Sequence, residues 1–164
     1  MKTIKITPKH ESVTCIHNNW YEWTGGEWKK PTNIIFAKDM NIYIPADQTV
    51  RTSGGRIKLC NGSIELCVDS SIDTGGGPID IVNGDFILHN GRVTTSGGPI
   101  DLHTGHIIVY DGYIWTLGGP ITLHKGNLDM YDGHIWTYGG PIVIRDGHYN
   151  MLGGDVVGNT IVYD

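Results

Sequence analysis

The sequence is poor in the residues that build disulfide-bonded domains and membrane spans. It has three cysteines, an odd number, and no apolar run approaches the ~18 residues that a membrane-spanning helix needs. The first fourteen residues contain lysines but lack the apolar core of a signal peptide. We therefore expect a soluble chain with no signal peptide and with Cys15, Cys60 and Cys67 as free thiols, made in a reducing compartment.

Basic residues are also scarce, because 12 Lys and Arg stand against 17 Asp and Glu, a net charge of −5. Between residues 75 and 154 the basic residues are Arg92, Lys125 and Arg145. This acidic balance disfavours nucleic-acid binding. No nucleophile elbow, Walker-type loop, dinucleotide fingerprint or zinc-finger spacing occurs, so the sequence predicts no cofactor and no enzyme.

Glycine, in contrast, is abundant and regular. It occupies every seventh position from Gly77 to Gly154, and Gly-Gly-Pro recurs every 21 residues. The prolines of this motif are Pro78, Pro99, Pro120 and Pro141. A seven-residue period inside a 21-residue period predicts a solenoid with three segments per coil.

Each segment alternates as a strand does, with apolar residues at the third and fifth positions after the glycine. The first segment type places Ile79, Ile100 and Ile121 in one such column. The third type places threonine at the fifth position, as in Thr74 and Thr95, which suggests hydroxyl groups bonded to the corner backbone. We predict an all-β, single-chain, three-faced parallel β-helix of about five coils, ~24 Å tall.

Right-handed crossovers are the rule for parallel strands, which favours a right-handed coil over the left-handed helices known for short repeats. One coil, around Asp69 to Gly76, has an extra residue and predicts a bulge or longer corner. The predicted domains are an N-terminal β cap or docking element over residues 1–40, the β-helix over residues 41–158 and a tail over residues 159–164. Trp20, Trp23 and Trp28 lie in a predicted hairpin of the cap and are candidate interface residues.

Two outward pairs have the residue types of chemical sites. Asp80 and Asp101 stack on consecutive coils near the ~5 Å carboxylate separation of retaining glycosidases, which makes them weak catalytic candidates. His103 and His124 also stack and are weak candidates for a metal site. Repeats duplicate such ladders without any ligand, so neither pair identifies a function.

Outward aromatic residues concentrate on the third segment type and the corner before it. They are Tyr110, Tyr113, Trp115, Tyr131, Trp136 and Tyr138. Contiguous exposed rings indicate a protein interface or a platform for stacking sugars, and they also stabilise coils by stacking on each other. The threonines of this segment point inward, so an ice-binding lattice is disfavoured.

The Gly-x-Ile-x-Leu-x-Asn segments and the entry stretch from Asn41 to Val50 resemble parallel β-helix proteins of phage spikes, fibres and decoration proteins. More distantly, the chain resembles the bactofilins. The resemblance covers about residues 41–158 and transfers no functional residue. It implies a non-catalytic structural or assembly protein of a virion, made in the host cytoplasm and bound to other protein subunits or copies of itself. The alternatives are a carbohydrate-binding or carbohydrate-cleaving β-helix with a glycan partner, and a self-polymerising scaffold.

Overall fold

The fold was analysed in a computed structural model that describes residues 2–5, 13–16, 19–23, 28–29, 34–52 and 54–163. Side chains are described for residues 41–52, 54–158, 161 and 163. The strands in chain order are β1 (Lys2–Lys5), β2 (Val13–Ile16), β3 (Asn19–Trp23), β4 (Trp28–Lys29), β5 (Ile34–Ile44), β6 (Thr49–Arg51), β7 (Ile57–Asn61), β8 (Ile64–Leu66), β9 (Ser71–Asp73), β10 (Ile79–Ile81), β11 (Phe86–Leu88), β12 (Gly91–Thr95), β13 (Ile100–Leu102), β14 (Ile107–Val109), β15 (Gly112–Thr116), β16 (Ile121–Lys125), β17 (Leu128–Met130), β18 (His134–Asp146), β19 (Tyr149–Met151) and β20 (Asp155–Tyr163). The described residues contain no helix, so none there is long and apolar enough to cross a membrane.

Parallel strands from successive coils stack into three faces. The first face contains β7, β10, β13 and β16; the second contains β8, β11, β14, β17 and β19; the third contains β6, β9, β12 and β15. The long strands β5, β18 and β20 turn a corner and contribute to two faces each. Paired strands lie about 21 residues apart, which confirms the predicted β-solenoid, and the stack has about 6 turns rather than the five predicted.

The inward side chains form the predicted apolar columns. Ile79, Ile100 and Ile121 are register partners on the first face, and each is at most 1% exposed. Phe86 and Leu88 of the second face are fully buried. Each coil therefore covers the apolar residues of its neighbours, and the core is one continuous column along the solenoid.

The threonine column of the third face bonds to the corner backbone, as predicted. The hydroxyl groups of Thr52, Thr74 and Thr95 each donate to the carbonyl oxygen three residues later, at 2.7, 2.6 and 2.7 Å. The hydroxyl oxygens of Thr116 and Thr137 are also buried, but they have no hydrogen-bond partner among the described residues. The hydrogen bond from the threonine hydroxyl to the corner carbonyl therefore forms at Thr52, Thr74 and Thr95 and is absent at Thr116 and Thr137.

The corner between the second and third faces is longer in the first two coils. The turns Pro45–Gln48 and Cys67–Ser70 are closed by the fourth N–H, which donates to the first carbonyl at 3.3 and 3.1 Å. Asp47 and Asp69 sit in these turns with φ of 61° and 58°. The sequence predicts the extra residue only in the coil of Asp69, because Gly62 and Gly77 stand on either side of that turn, whereas no glycine of the repeat precedes the equivalent turn at Asp47.

At both ends, parallel pairing extends beyond the predicted limits of the β-helix. β1 pairs with Met40–Tyr43 of β5, and Ile34–Phe36 of β5 pairs with β7, ahead of residue 41. β20 pairs with β18 as far as Tyr163, beyond residue 158. Strands β2, β3 and β4 form a separate antiparallel sheet, as expected for a hairpin in the N-terminal element.

Candidate functional site

Aromatic side chains cluster on the outward side of the third face, where β15 and β18 lie side by side. Cα partners in this register are Tyr113 with His134 and Trp115 with Trp136, so the rings of one coil lie next to the rings of the following coil. Two exposed apolar residues follow in equivalent positions, Leu117 directly after β15 and Tyr138 within β18. We call these six residues the aromatic face: Tyr113, Trp115, Leu117, His134, Trp136 and Tyr138.

The rings of the aromatic face pack against one another around Trp136. Trp115 meets Trp136 edge to face, with centroids 6.1 Å apart and planes at 89°. His134 stacks on the same indole at 5.4 Å and 18°, and Tyr113 approaches it at 6.0 Å and 33°. Tyr138 lies 6.3 Å from the Trp115 ring. These contacts fix the ring orientations, so the face is ordered before any partner binds.

This packing leaves three apolar side chains of the same face open to solvent. Tyr138 is 63% exposed and Leu117 is 45% exposed, while Val157, the register partner of Trp136 in the last coil, is 49% exposed. Trp115 and Trp136 are half-buried between them. Rings that serve only to stabilise neighbouring coils need no exposed apolar residues beside them. A continuous exposed apolar patch is instead typical of an interaction surface.

Neither protein-family models nor curated proteins nor solved structures give a match to this chain. The resemblance to phage β-helix proteins therefore stays a prediction. The basis for a functional proposal is the geometry of the chain's own residues.

Tyr110 and Tyr131, predicted beside the aromatic face, belong to a different ladder at the end of the second face. Their rings stack at 5.0 Å and 20°. Below them His89 stacks on Tyr110 at 5.2 Å, and its Nε2 lies 2.7 Å from a carboxylate oxygen of Glu65. The ring contacts found in residues 41–163 do not join this ladder to the aromatic face, so the sequence groups two surfaces that the fold separates.

The two aspartates proposed as acids stack as predicted, because Asp80 and Asp101 are register partners. The side chain of Asp80 is only 15% exposed and lies between two basic groups. Its Oδ2 is 3.6 Å from Lys58 Nζ, and its Oδ1 is 3.2 Å from His103 Nε2, close enough for an ion pair when the ring is protonated. Asp80 thus links three coils, which is a structural use of this carboxylate.

His103 and His124 stack as the sequence predicts, with ring centroids 4.8 Å apart and planes at 3°. Parallel rings hold their nitrogens side by side instead of turning them toward one point. Within the described residues, no three His, Cys, Asp or Glu side chains are grouped as metal ligands. The pair therefore offers two ligands to a metal ion, fewer than the four of a structural zinc site.

The remaining predicted residues are the three tryptophans of the N-terminal element and the three cysteines. Trp23 and Trp28 are register partners on β3 and β4, and Trp20 pairs with Cys15 of β2. The side chains of these four residues lie outside the described part of the chain. Cys60 and Cys67 are free thiols, as predicted.

Two tyrosines away from the aromatic face have raised pKa values. A hydrogen bond with the Cys67 thiol, together with the charge that this group can carry, raises the pKa of Tyr43. Burial against the core, with a smaller effect of Tyr163, raises the pKa of Tyr149. Both tyrosines therefore keep their protons to a higher pH than an exposed tyrosine does.

Sequence reasoning missed four residues that border or complete the aromatic face. Leu117 and His134 belong to it, and Arg92 and Asp155 flank it on the neighbouring coils. The signal was available, because all four occupy outward positions of the third segment type. The prediction named only tryptophan and tyrosine residues at these positions and therefore omitted them.

Proposed function

We propose that the chain is a non-catalytic structural protein whose β-solenoid holds the aromatic face rigid for binding to another protein subunit. The observation that carries this proposal is the continuous exposed apolar surface of Leu117, Tyr138 and Val157 around half-buried tryptophans. Rings with few rotatable bonds bury a large area at a small entropy cost, and they are already ordered here.

The ring geometry gives less support to carbohydrate binding. A sugar stacks on a flat ring face that is open to solvent. On this surface His134 occupies a face of Trp136, and Trp115 packs against the same indole with its plane at a right angle. The most exposed ring, Tyr138, is tilted by 56° against Trp115, so the two do not form one flat platform, and the exposed Leu117 on the adjacent coil suits the apolar centre of a protein interface.

The surroundings of the aspartates also favour a structural role over hydrolysis. Asp80 lies within ion-pair distance of Lys58, at 3.6 Å, and 3.2 Å from His103 Nε2, so its neighbours on both adjacent coils are basic groups. The resemblance to β-helix parts of phage particles supports a place in a virion for such a rigid module. Its function there would be to present one fixed surface to neighbouring subunits.

A site-specific photocross-linking experiment tests the proposal. A photoreactive amino acid replaces Tyr138 on the aromatic face or, as a matched control, Val82, which is 36% exposed on the first face. Both chains are produced in the source cells and irradiated. We expect one discrete protein product from position 138 and none from position 82, and we expect Leu117→Ser to abolish that product.

Equal labelling at both positions, or labelling unaffected by Leu117→Ser, contradicts an interface on the aromatic face. Attachment of a glycan instead of a protein supports the carbohydrate alternative. The circular dichroism spectrum of each variant verifies that the β-solenoid is intact, because Leu117 and Tyr138 contribute little to the core.

A further inference from the structure

Opposite charges bound the aromatic face at its two ends along the solenoid axis. One outward column runs through Arg92, Tyr113, His134 and Asp155 on four successive coils. Arg92 Nη1 donates to the hydroxyl oxygen of Tyr113 at 3.2 Å, and its guanidinium lies 6.0 Å from the ring centroid. Asp155 Oδ2 lies 3.5 Å from His134 Nδ1, and the Asp155 side chain is 71% exposed. Along the solenoid axis, this column therefore has a positive residue at one end, two rings in the middle and a negative residue at the other end.

The neighbouring column has the same four-coil arrangement. Thr94, Trp115, Trp136 and Val157 are successive register partners, with the two indoles in the middle. The exposed Leu117 and Tyr138 lie on the same two central coils. The aromatic face thus has a centre, midway between the coil of Trp115 and the coil of Trp136.

We infer that the partner of the aromatic face is a second copy of this chain, an inference that rests on the proposed function. A two-fold axis parallel to the strands, placed at that centre, turns the two faces toward each other with antiparallel solenoid axes. It sets Arg92 of each copy opposite Asp155 of the other and Trp115 opposite Trp136. Every contact then occurs twice, as in an isologous interface.

Charge and shape both favour this occupant. The axis pairs Leu117 of one copy with Tyr138 of the other, so two exposed apolar side chains of each copy are covered on the central coils. The attractive charges lie at the rim, where they set the register of the two copies. A surface with both signs of charge at fixed positions about one centre is complementary to itself, whereas a purely acidic or basic rim would repel a second copy.

The size of the face predicts a weak dimer. Four coils at ~4.8 Å and strands of five residues at ~3.3 Å give a face of about 19 by 17 Å, so two copies would bury roughly 600 to 1,000 Å² in total, in the range of weak, reversible interfaces. We expect a dissociation constant on the order of micromolar, with reversible dimers that respond to concentration.

Charge reversal tests the register of the dimer. Arg92→Asp alone places like charges at both rim contacts, and Asp155→Arg alone does the same with the opposite sign. We expect each variant to dimerise at least about tenfold more weakly than the parent chain, measured by sedimentation at several concentrations and low salt. An equimolar mixture of the two variants has opposite charges at both contacts, and we expect it to recover dimers that contain one copy of each.

Matched controls reverse the same charges away from the aromatic face. Lys125 and Asp146 are exposed register partners on the first face, and Lys125→Asp and Asp146→Arg should leave dimerisation unchanged. If a charge-reversal variant does not fold, Arg92→Gln and Asp155→Asn remove the attraction without adding repulsion and should each weaken the dimer by a few fold.

The inference is overturned if the parent chain stays monomeric well above micromolar concentration, or if the mixture of variants does not associate. Its failure is distinguishable from failure of the proposed function. A photocross-link from position 138 to a different protein removes the second copy but keeps the interface, a cross-link between two copies supports both, and the absence of any site-specific product contradicts both.

Discussion

Four glycine-to-alanine substitutions separate the two reasons why corners of this solenoid need glycine. A Cβ at Gly97 meets no atom within 4 Å, and its φ lies outside the left-handed region. Gly76 is equally open but has φ of 119°, whereas Gly98 has no positive φ but a Cβ there would collide with the backbone of Gly77. Gly105 combines φ of 132° with a collision against the Gly84 carbonyl.

These geometries give an ordered series of free energies of unfolding. Gly97→Ala should be neutral or stabilise by about 0.4–1 kcal/mol, because alanine restricts the unfolded chain. Gly76→Ala should cost about 1–3 kcal/mol from backbone strain alone. Gly98→Ala should cost a similar 1–3 kcal/mol from crowding, because the atoms it meets are backbone in a stacked coil that cannot rotate away.

For Gly105→Ala, the two penalties add to about 2–6 kcal/mol, a large part of the ~5–15 kcal/mol that stabilises a typical domain. Urea unfolding followed by circular dichroism measures all four variants, and each kcal/mol should also lower the melting temperature by about 2–4 °C. If Gly105→Ala unfolds at the same urea concentration as Gly97→Ala, the close approach of stacked corners does not explain why glycine occupies these positions. If Gly76→Ala is the least stable of the four, backbone strain outweighs crowding and the order is wrong.

Three further predictions concern the core, the threonine column and alkaline pH. Ile121→Asp puts an unpaired carboxylate at a fully buried position and should leave no folded protein, as judged by circular dichroism and solubility. Thr95→Val removes a buried hydroxyl that donates at 2.7 Å and should destabilise by about 1–3 kcal/mol, whereas Thr116→Val removes an unpartnered hydroxyl and should be neutral or stabilising in urea unfolding. The raised pKa of Tyr149 favours its protonated form in the folded state, so stability should be full below pH ~10 and fall as pH rises through the folded pKa, less steeply in Tyr149→Phe.

The repeat predicts the parts of the fold that depend on backbone period. Glycine spacing and alternation place Ile79 and Phe86 inside and Trp115 outside, because a strand has only two sides. The extra residue at Asp47 is not predictable in the same way, since the regular glycines begin at Gly55, after this turn, whereas Gly62 and Gly77 stand on either side of the turn at Asp69. Pairing from Ile34 is missed for a similar reason: the strand continues where the repeat is no longer recognisable.

Side-chain geometry is less predictable than the period. The sequence places Tyr110 and Tyr113 near one another, but which ring stacks on which depends on rotamers and on the corner between them. The same limit applies to the threonine column. Thr95 and Thr116 occupy equivalent positions, yet only Thr95 finds a corner carbonyl.

The difference between the long and short corners also constrains how this protein can change length. From Pro78 to Pro141 all coils share one 21-residue unit, so duplicating or deleting 21 residues there adds or removes a whole turn and leaves every side chain on its own side. The coils with Asp47 and Asp69 contain one residue more, so a whole turn there has 22 residues, and duplicating or deleting 21 residues across that corner would shift the following strand by one position and turn its apolar residues outward. Changes of length in units of 21 residues therefore keep the register only in the later coils, which are also the coils that contain the aromatic face.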